Sequence, residues 1–587
     1  MTILDPRPAG ESAGLPSMVR VRRSDPVYMA HAYLTKVPVA AITPFIEAFT
    51  RPGDVVLDPF AGSGMTGVAA LMTGRRAVLY DVAVLGRHIG TNYVNLVDAG
   101  RLRGRGEEVA RRARERTGDV YAVICGSCGG DAQLVKAVWS AVIECGDCLE
   151  QINYYRCLEE AAWRREDMAC SRCGAAVGAR CRRVGEEPVI DSISCSCSRT
   201  QIEQPWSGPL RHVDSTGLRW PDTAIDETRQ MYVASALGRH GLTSTASFFS
   251  TRNLSVLAAL REAIDGVPEP ELQAKLLFVF TSVLTRASKR YQWSRQRPLN
   301  AANANYYVAP VFYEWNVFDL FARKVQAAIR SDDWIRQHRR GPAVRDSALR
   351  PDVDYRIASA DRLPLADNSV DYVFTDPPFG SNIFYSDMNL FQEAWLDART
   401  DPGSEAVIDR VDTGRHRSAE RYESILASAF KECRRVVKPG GHVTVLFGNS
   451  SGAMWQLLQR AVAAAGLEVV PDMIAVLDKG QRSVKGLASG FENVATLDLM
   501  LTLRRARRPS RPARAPSAAA VADFVRRLLT DDTAVSPSRL YVMLLRHGIE
   551  QGWDLSRLDL CSVTEQLRAA ELDIDRRSAL VVPAVGP

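Results

Sequence analysis

Along the first hundred residues the apolar positions gather into two short unbroken runs, DVVLD (54–58) and RAVLYD (76–81), separated by a Gly-rich turn and the apolar segment MTGVAALMTG. Compact apolar runs bounded by turn residues predict buried strands, and the intervening segment predicts a helix, which makes a βαβ unit. A second set begins near Tyr355. There YRIASAD and VDYVFTDPP predict two strands, residues 420–437 a helix, GGHVTVLFG a third strand, and the alternation in NVATLDLMLTL a closing hairpin. The pattern predicts an α/β fold with a Rossmann-like sheet that binds its ligand at the carboxyl ends of the strands. The sheet is interrupted after its second strand by an insertion over roughly residues 100–350.

This reading divides the chain into a flexible lead-in (1–25), a first half-domain (26–98), a cysteine-bearing insertion (99–227), a helical insertion (228–350) and a second half-domain (351–505). A basic, Pro-rich linker (506–517) and a small helical unit (518–587) follow, the latter from ADFVRRLL and SRLYVMLLRHG. At 587 residues, one core with insertions is expected. The 46% hydrophobic and 24% charged residues are ordinary for a globular chain. The N-terminus has no apolar leader and no run suits a bilayer span, so a cytoplasmic protein without membrane contact is expected.

The net charge of +6 is modest, and its distribution carries more than its size. Six arginines between Arg504 and Arg514 read as a solvated linker, whereas the basic run Arg286–Arg297 is interleaved with Tyr291 and Trp293. With Tyr306 and Tyr307 that run is the candidate DNA-contacting surface, because phosphates attract cations and unstacked bases need aromatic faces. A core helix end followed by an ordered loop is the competing reading.

Ten of the twelve cysteines fall between Cys125 and Cys197, a density that points to structural zinc rather than disulfides. Cys125, Cys128, Cys145 and Cys148 have the spacing of a four-cysteine zinc ribbon. Cys170, Cys173, Cys195 and Cys197 form a candidate second site, with Cys157 and Cys181 left over. Four thiolates leave no open position for water, so the metal would be structural.

The stretch LDPFAGSGMTG (57–67) follows the first predicted strand and opens the helix. Gly62 and Gly64 allow a tight turn and close approach of a ligand to the backbone, and the helix N-terminus favours a carboxylate. Asp81 ends the next strand, where an acid can accept hydrogen bonds from ribose hydroxyls. A lone Gly-rich turn would equally suit a nucleotide or a purely structural bend.

The DPFAGSG run resembles motif I of the amino-directed (N6-adenine/N4-cytosine) DNA methyltransferases. That resemblance implies a class I fold binding S-adenosylmethionine, with Asp58, Pro59, Phe60, Gly62, Gly64, Thr66 and Asp81 around the cofactor. HAYLTKVP (31–38) is similar to motif X, departing from it at Ala32 and Val37, and offers Lys36 as a contact to the cofactor carboxylate or as a surface helix cap. Asp361 matches the acid of motif III that bonds the adenine amino group.

Asp376-Pro377-Pro378-Phe379 resembles the [DNS]-P-P-[YFW] signature of enzymes that methylate exocyclic amines directly. Such an amine is a poor nucleophile because its lone pair is delocalised into the ring. A carboxylate accepting one N–H and the Pro377 carbonyl accepting the other would aim that lone pair at the methyl. Phe379 would stack a flipped-out base. Ser381, Asn382, Tyr385 and Asp387 would line the cleft mouth or order its loop. No Pro-Cys dipeptide is present to serve C5-cytosine chemistry.

The resemblance spans about residues 28–95 and 350–505 and is closest to large, insert-bearing methyltransferases found beside bacterial antiphage and restriction genes. It implies duplex DNA as substrate, adenine N6 as target, and defence-system proteins as partners. N4-cytosine methylation, RNA-base methylation and a non-catalytic DNA-binding subunit are the alternatives.

Overall fold

The computed structural model describes residues 15–22, 24–206, 213–235, 237–295, 306–340, 352–479, 497–508, 513–531, 536–560, 572–574 and 581–583. Its central sheet starts with β1 (Met18–Arg20), β2 (Val55–Asp58) and β3 (Arg76–Asp81). The insertion contributes β4 (Ala122–Ile124), β5 (Asp131–Glu144), β6 (Gln151–Asn153), β7 (Arg183–Ser194), β8 (Ile202–Pro205) and β9 (Val311–Trp315). The main sheet resumes with β10 (Val353–Ile357), β11 (Val370–Thr375), β12 (Val437–Phe447), β13 (Leu467–Asp478) and β14 (Leu497–Arg505).

The order β1-β13-β14-β12-β11-β2-β3-β10 is parallel except at β14, which runs antiparallel to both neighbours. Setting β1 aside, this is the Rossmann-like class I methyltransferase sheet expected from the sequence. Alternate residues of β11 enter opposite cores: Tyr372 and Phe374 face one, Val373 the other. Among the described residues no helix is long and apolar enough to cross a membrane.

Three expected boundaries are corrected. Met18–Arg20 is not a loose lead-in but the edge strand β1, pairing with β13 and burying Val19 and Val21. The two insertions share a sheet, because β9 pairs with β5 (Trp139 opposite Phe312). Arg252 and Glu314, 7% and 3% exposed, tie that sheet to the helix Thr251–Asp265. The helix Pro537–Glu550 is not a separate unit either: Leu540, Leu544 and Leu545 share a core with Leu499 and Leu501 of β14.

The long helices of the insertion pack on the opposite face. Lys275 of the helix Pro270–Ala287 is fully buried, donating to Asp332 (2.8 Å) and to the Asn92 carbonyl (2.6 Å). This pair anchors the insertion to the helix Val84–Val94 that follows β3. The basic-aromatic run is largely part of this packing and not an open surface. Arg290 is buried over the Phe391 ring, Tyr291 is buried, and Lys289 pairs with Glu186. Tyr306 is buried as well. Arg297, Arg511 and Cys561 lie outside the described residues.

Candidate active site and cysteine clusters

Four adjacent parallel strands, β10, β3, β2 and β11, end at one rim. Beyond β2 the chain turns through residues 59–64, with Gly62 and Gly64 at φ +48° and +76°. A Cβ on Gly64 would lie 2.6 Å from the Cα of Gly90, so both left-handed geometry and space demand glycine there. Tyr355 of β10 supports the turn by donating to the Gly62 carbonyl at 2.6 Å.

A cavity opens over this rim. Asp58, Pro59, Phe60, Gly62 and Thr66 line it, as do Asp81, Asp376 and Pro378. Asp81 is fixed by its own strand end: it accepts from Gly62 N (2.7 Å) and Ala83 N (2.8 Å). Asp58 accepts from Thr66 (2.6 Å), Thr375 (2.9 Å) and Phe60 N (3.1 Å). Burial nevertheless pushes its carboxyl up to about 7.

Asp376 differs from both. Its Oδ1 is buried without a hydrogen-bond partner, and burial raises its pKa well above the usual carboxylate range, aided by nearby Asp498 and Asp58 and opposed by Lys479. The Pro-Pro loop is held from outside: Tyr422 Oη donates to the Pro378 carbonyl, and Asn449 Nδ2 to that of Phe379 at 3.0 Å. Pro377 is buried in that loop. The Phe379 ring packs edge-on against Phe447, outside the cavity lining.

Of two further expected contacts, one lies in the cavity lining and one outside it. Lys36 is buried, not on the surface, and its ammonium is taken up by the Tyr28 carbonyl, the His31 carbonyl (2.8 Å) and Tyr93 Oη (3.1 Å). Burial lowers it to about 7. Lys36 is itself part of the cavity lining, and its hydrogen bonds brace the segment that carries it. Asp361 is exposed and outside the lining; Ala358, Ser359 and Ala360 form the wall beside it.

The cleft-mouth residues also divide. Tyr385 lines the cavity, bonds Thr35 Oγ1 at 2.7 Å and stacks near Tyr33 (centroids 6.1 Å apart). Asp387 is committed elsewhere, to Arg229 (3.2 Å) and Met231 N (3.0 Å). Ser381 and Asn382 are outside the lining. Sequence reading missed Tyr33 and Glu405. The latter lines the cavity, bonds Ser386 N (2.8 Å) and Arg417 (3.0 Å), and is pushed up to about 7 by burial. Tyr33 lies within the HAYLTKVP stretch, where only Lys36 was singled out, and no local motif marks Glu405.

All eight expected cysteine ligands cluster, but in a different partition. Cys125 and Cys128 meet Cys195 and Cys197, while Cys145 and Cys148 meet Cys170 and Cys173. The reason is the length of β5. Its 14 residues separate the two leading Cys-x2-Cys knuckles, and antiparallel β7 returns Cys195 to the first knuckle while starting near the second. Sulfur separations of 3.6–3.7 Å fit tetrahedral zinc, whose 2.3 Å bonds set S···S edges of roughly 3.8 Å.

Residues 16–91 match a family described as DNA methylase, of the N6/N4 methyltransferase type. Over 44 residues the chain is 59% identical to "Putative methylase YubD" of Escherichia coli (strain K12), covering 8% of this chain and 19% of that protein. It is 40% identical over 84 residues to the Type II methyltransferase M.XycI of Xanthomonas campestris pv. cyanopsidis, covering 14% and 25%. It is 44% identical over 48 residues to the DNA adenine methyltransferase YhdJ of Escherichia coli (strain K12), covering 8% and 16%. The chain thus spans a quarter or less of each of these relatives, and the likeness lies in short segments.

Proposed function

We propose that this protein is an S-adenosylmethionine-dependent DNA methyltransferase of the N6/N4 class whose target is the N6 amine of adenine. The observation that carries the proposal is the buried, unpartnered Oδ1 of Asp376 in the same cavity as the Gly62–Gly64 turn and Asp81. The match of residues 16–91 to the DNA methylase family supports it, as does the likeness to YhdJ.

The donor set fits the cofactor. The glycine turn gives a side-chain-free floor, Asp81 retains lone pairs for ribose hydroxyls, and Ala358–Ala360 make a small-residue wall. Bound there, the cofactor would supply an electrophilic methyl group. Asp376 Oδ1 would accept one N–H of the incoming amine and so gain its missing partner, and the Pro377 carbonyl would accept the other. The clamped loop keeps both acceptors from reorganising during the reaction. Glu405 and the tyrosine pair Tyr33 and Tyr385 complete the wall.

The test is transfer of labelled methyl from S-adenosylmethionine to phage DNA and to host DNA lacking this gene, followed by digestion to nucleosides. N6-methyladenine is expected, and Asp376→Ala should lower transfer by about 10²-fold or more while cofactor affinity is unchanged. Label on cytosine N4 would keep the class and overturn the adenine assignment. Cofactor binding without transfer to either DNA would refute the enzyme reading.

A further inference from the structure

The insertion carries a second, partly open cavity, formed where the cysteine-bearing part meets the helical part. Tyr154, Trp163, Trp293 and Tyr307 line it together with Arg165 and Arg295, and among the described residues no carboxylate lines it. Trp163 and Trp293 have ring centroids 5.4 Å apart, and each packs edge-on to Tyr155 at 5.3 Å. The Arg295 guanidinium lies 5.0 Å from the Trp163 ring.

Two features set this apart from ordinary packing. Trp163 reaches the cavity through a helix end in which Ala162 and Trp163 both take left-handed φ, +52° and +68°, a costly backbone for residues with side chains. That turn is locked by Trp163 N to Leu158 O (2.8 Å) and Ala162 N to Glu159 O (2.9 Å). Beside the cavity, Arg183 donates to the Val308 carbonyl at 2.9 Å, yet its Nε is buried without a partner.

We propose that this cavity is a second nucleotide-binding site, which takes one unstacked base of the DNA on the Trp163 and Trp293 faces and meets its phosphate with Arg165 and Arg295. Aromatic faces select a flat ring, and the arginines select an anion over a cationic guest. A nucleotide offers both ring and anion. This site rests on the reading of DNA as substrate and adds to it: the base held here is not the methyl acceptor, which belongs at Asp376.

Position gives such a site a use. Tyr306 turns away from the cavity and donates to the Asp387 carbonyl (2.6 Å), with its ring 5.1 Å from Phe391. Both partners sit on the helix Tyr385–Glu393, which follows the Asp-Pro-Pro-Phe loop and carries Tyr385 into the active-site cavity. Its neighbour Tyr307, 41% exposed, lines the second cavity. Two consecutive residues thus join the base reader to the wall of the catalytic site.

Ultraviolet crosslinking of the full-length protein to 5-bromouracil-substituted phage DNA, with peptide mapping, locates the contact. Adducts on Trp163, Trp293 or Tyr307 are expected. Tyr307→Ala and Arg165→Ala, both outside the packed ring cluster, should each raise the Kd for DNA roughly ten-fold with cofactor affinity unchanged. Adducts confined to other peptides, with wild-type affinity in both variants, would overturn the proposal even where methyl transfer is intact. Displacement of the DNA by thymidine monophosphate or by RNA of equal length, at equal nucleotide concentration, would overturn DNA as the source of the base. Failure to bind DNA at all, with no transfer, would instead remove the reading beneath it.

Discussion

Removing one thiol from the first cysteine cluster distinguishes the folded partition from the one suggested by order along the chain. Pairing Cys125 and Cys128 with Cys145 and Cys148 would have to bridge the 14 residues of β5, roughly 45 Å of extended chain. In the structure Cys128 instead lies 3.6 Å from Cys195, and Cys125 3.7 Å from Cys197. Structural zinc sites bind with about 10–16 kcal/mol, so one thiolate in four accounts for about 3 kcal/mol and at least a hundred-fold in affinity. Cys128→Ser, at an exposed position, should therefore lower the zinc content from two ions to one per chain under mild chelation. Alkylation with peptide mapping should then find Cys125, Cys195 and Cys197 reactive together. Cys145, Cys148, Cys170 and Cys173 should stay protected. Joint labelling of Cys125 with Cys145 and Cys148, leaving Cys195 protected, would refute the reasoning from strand length.

Gly64→Ala should unfold the protein at lower denaturant, by about 1–3 kcal/mol, because it combines a φ of +76° with a 2.6 Å approach to Gly90. Gly104→Ala should stabilise by about 0.5–1 kcal/mol, since Gly104 lies within the helix Ala99–Thr117 and a Cβ there meets nothing within 4 Å; equal midpoints for the two variants would contradict both. The Asp58 carboxyl is raised to about 7 in the folded state against 3.8 ordinarily, so the native state holds the extra proton between these values and loses stability as pH rises from about 4 to 7. Asp58→Asn lacks that term and should gain stability relative to wild type over the same window; parallel urea midpoints across it would disprove the assignment.

The parts of the molecule legible in the sequence are those whose structure is settled within a few residues. The turn after β2 is one: Gly62 and Gly64 are dictated by local backbone angles, and the Asp-Pro-Pro-Phe loop follows directly from a strand end. The α/β class of the sheet was legible for a related reason, since successive apolar runs with helices between them admit few topologies. The helix Pro537–Glu550 shows where this stops. Its apolar stripe announces a buried face, but the partner is β14, which nothing in the helix sequence names.

Long-range pairing decided the zinc partition and the fate of the basic-aromatic run. The zinc partition depends on β7 running antiparallel to β5, a fact stored in a sheet register and not in the Cys-x2-Cys spacings. The basic-aromatic run looked like an open surface because charge and rings share one segment. Burial divides it: Arg290 goes under Phe391 and Lys289 to Glu186, while Trp293 and Arg295 reach the second cavity. Lys36 makes the same point for a single side chain. Its place in the motif suggested a cofactor contact or a surface helix cap; it is buried in the cavity lining, and Tyr93 from another helix and the carbonyls of Tyr28 and His31 take up its ammonium. A cation in a motif is available to a ligand only when the fold leaves its hydrogen bonds unmade. By that criterion Asp376, with a buried oxygen still lacking a partner, is a stronger functional candidate than Lys36.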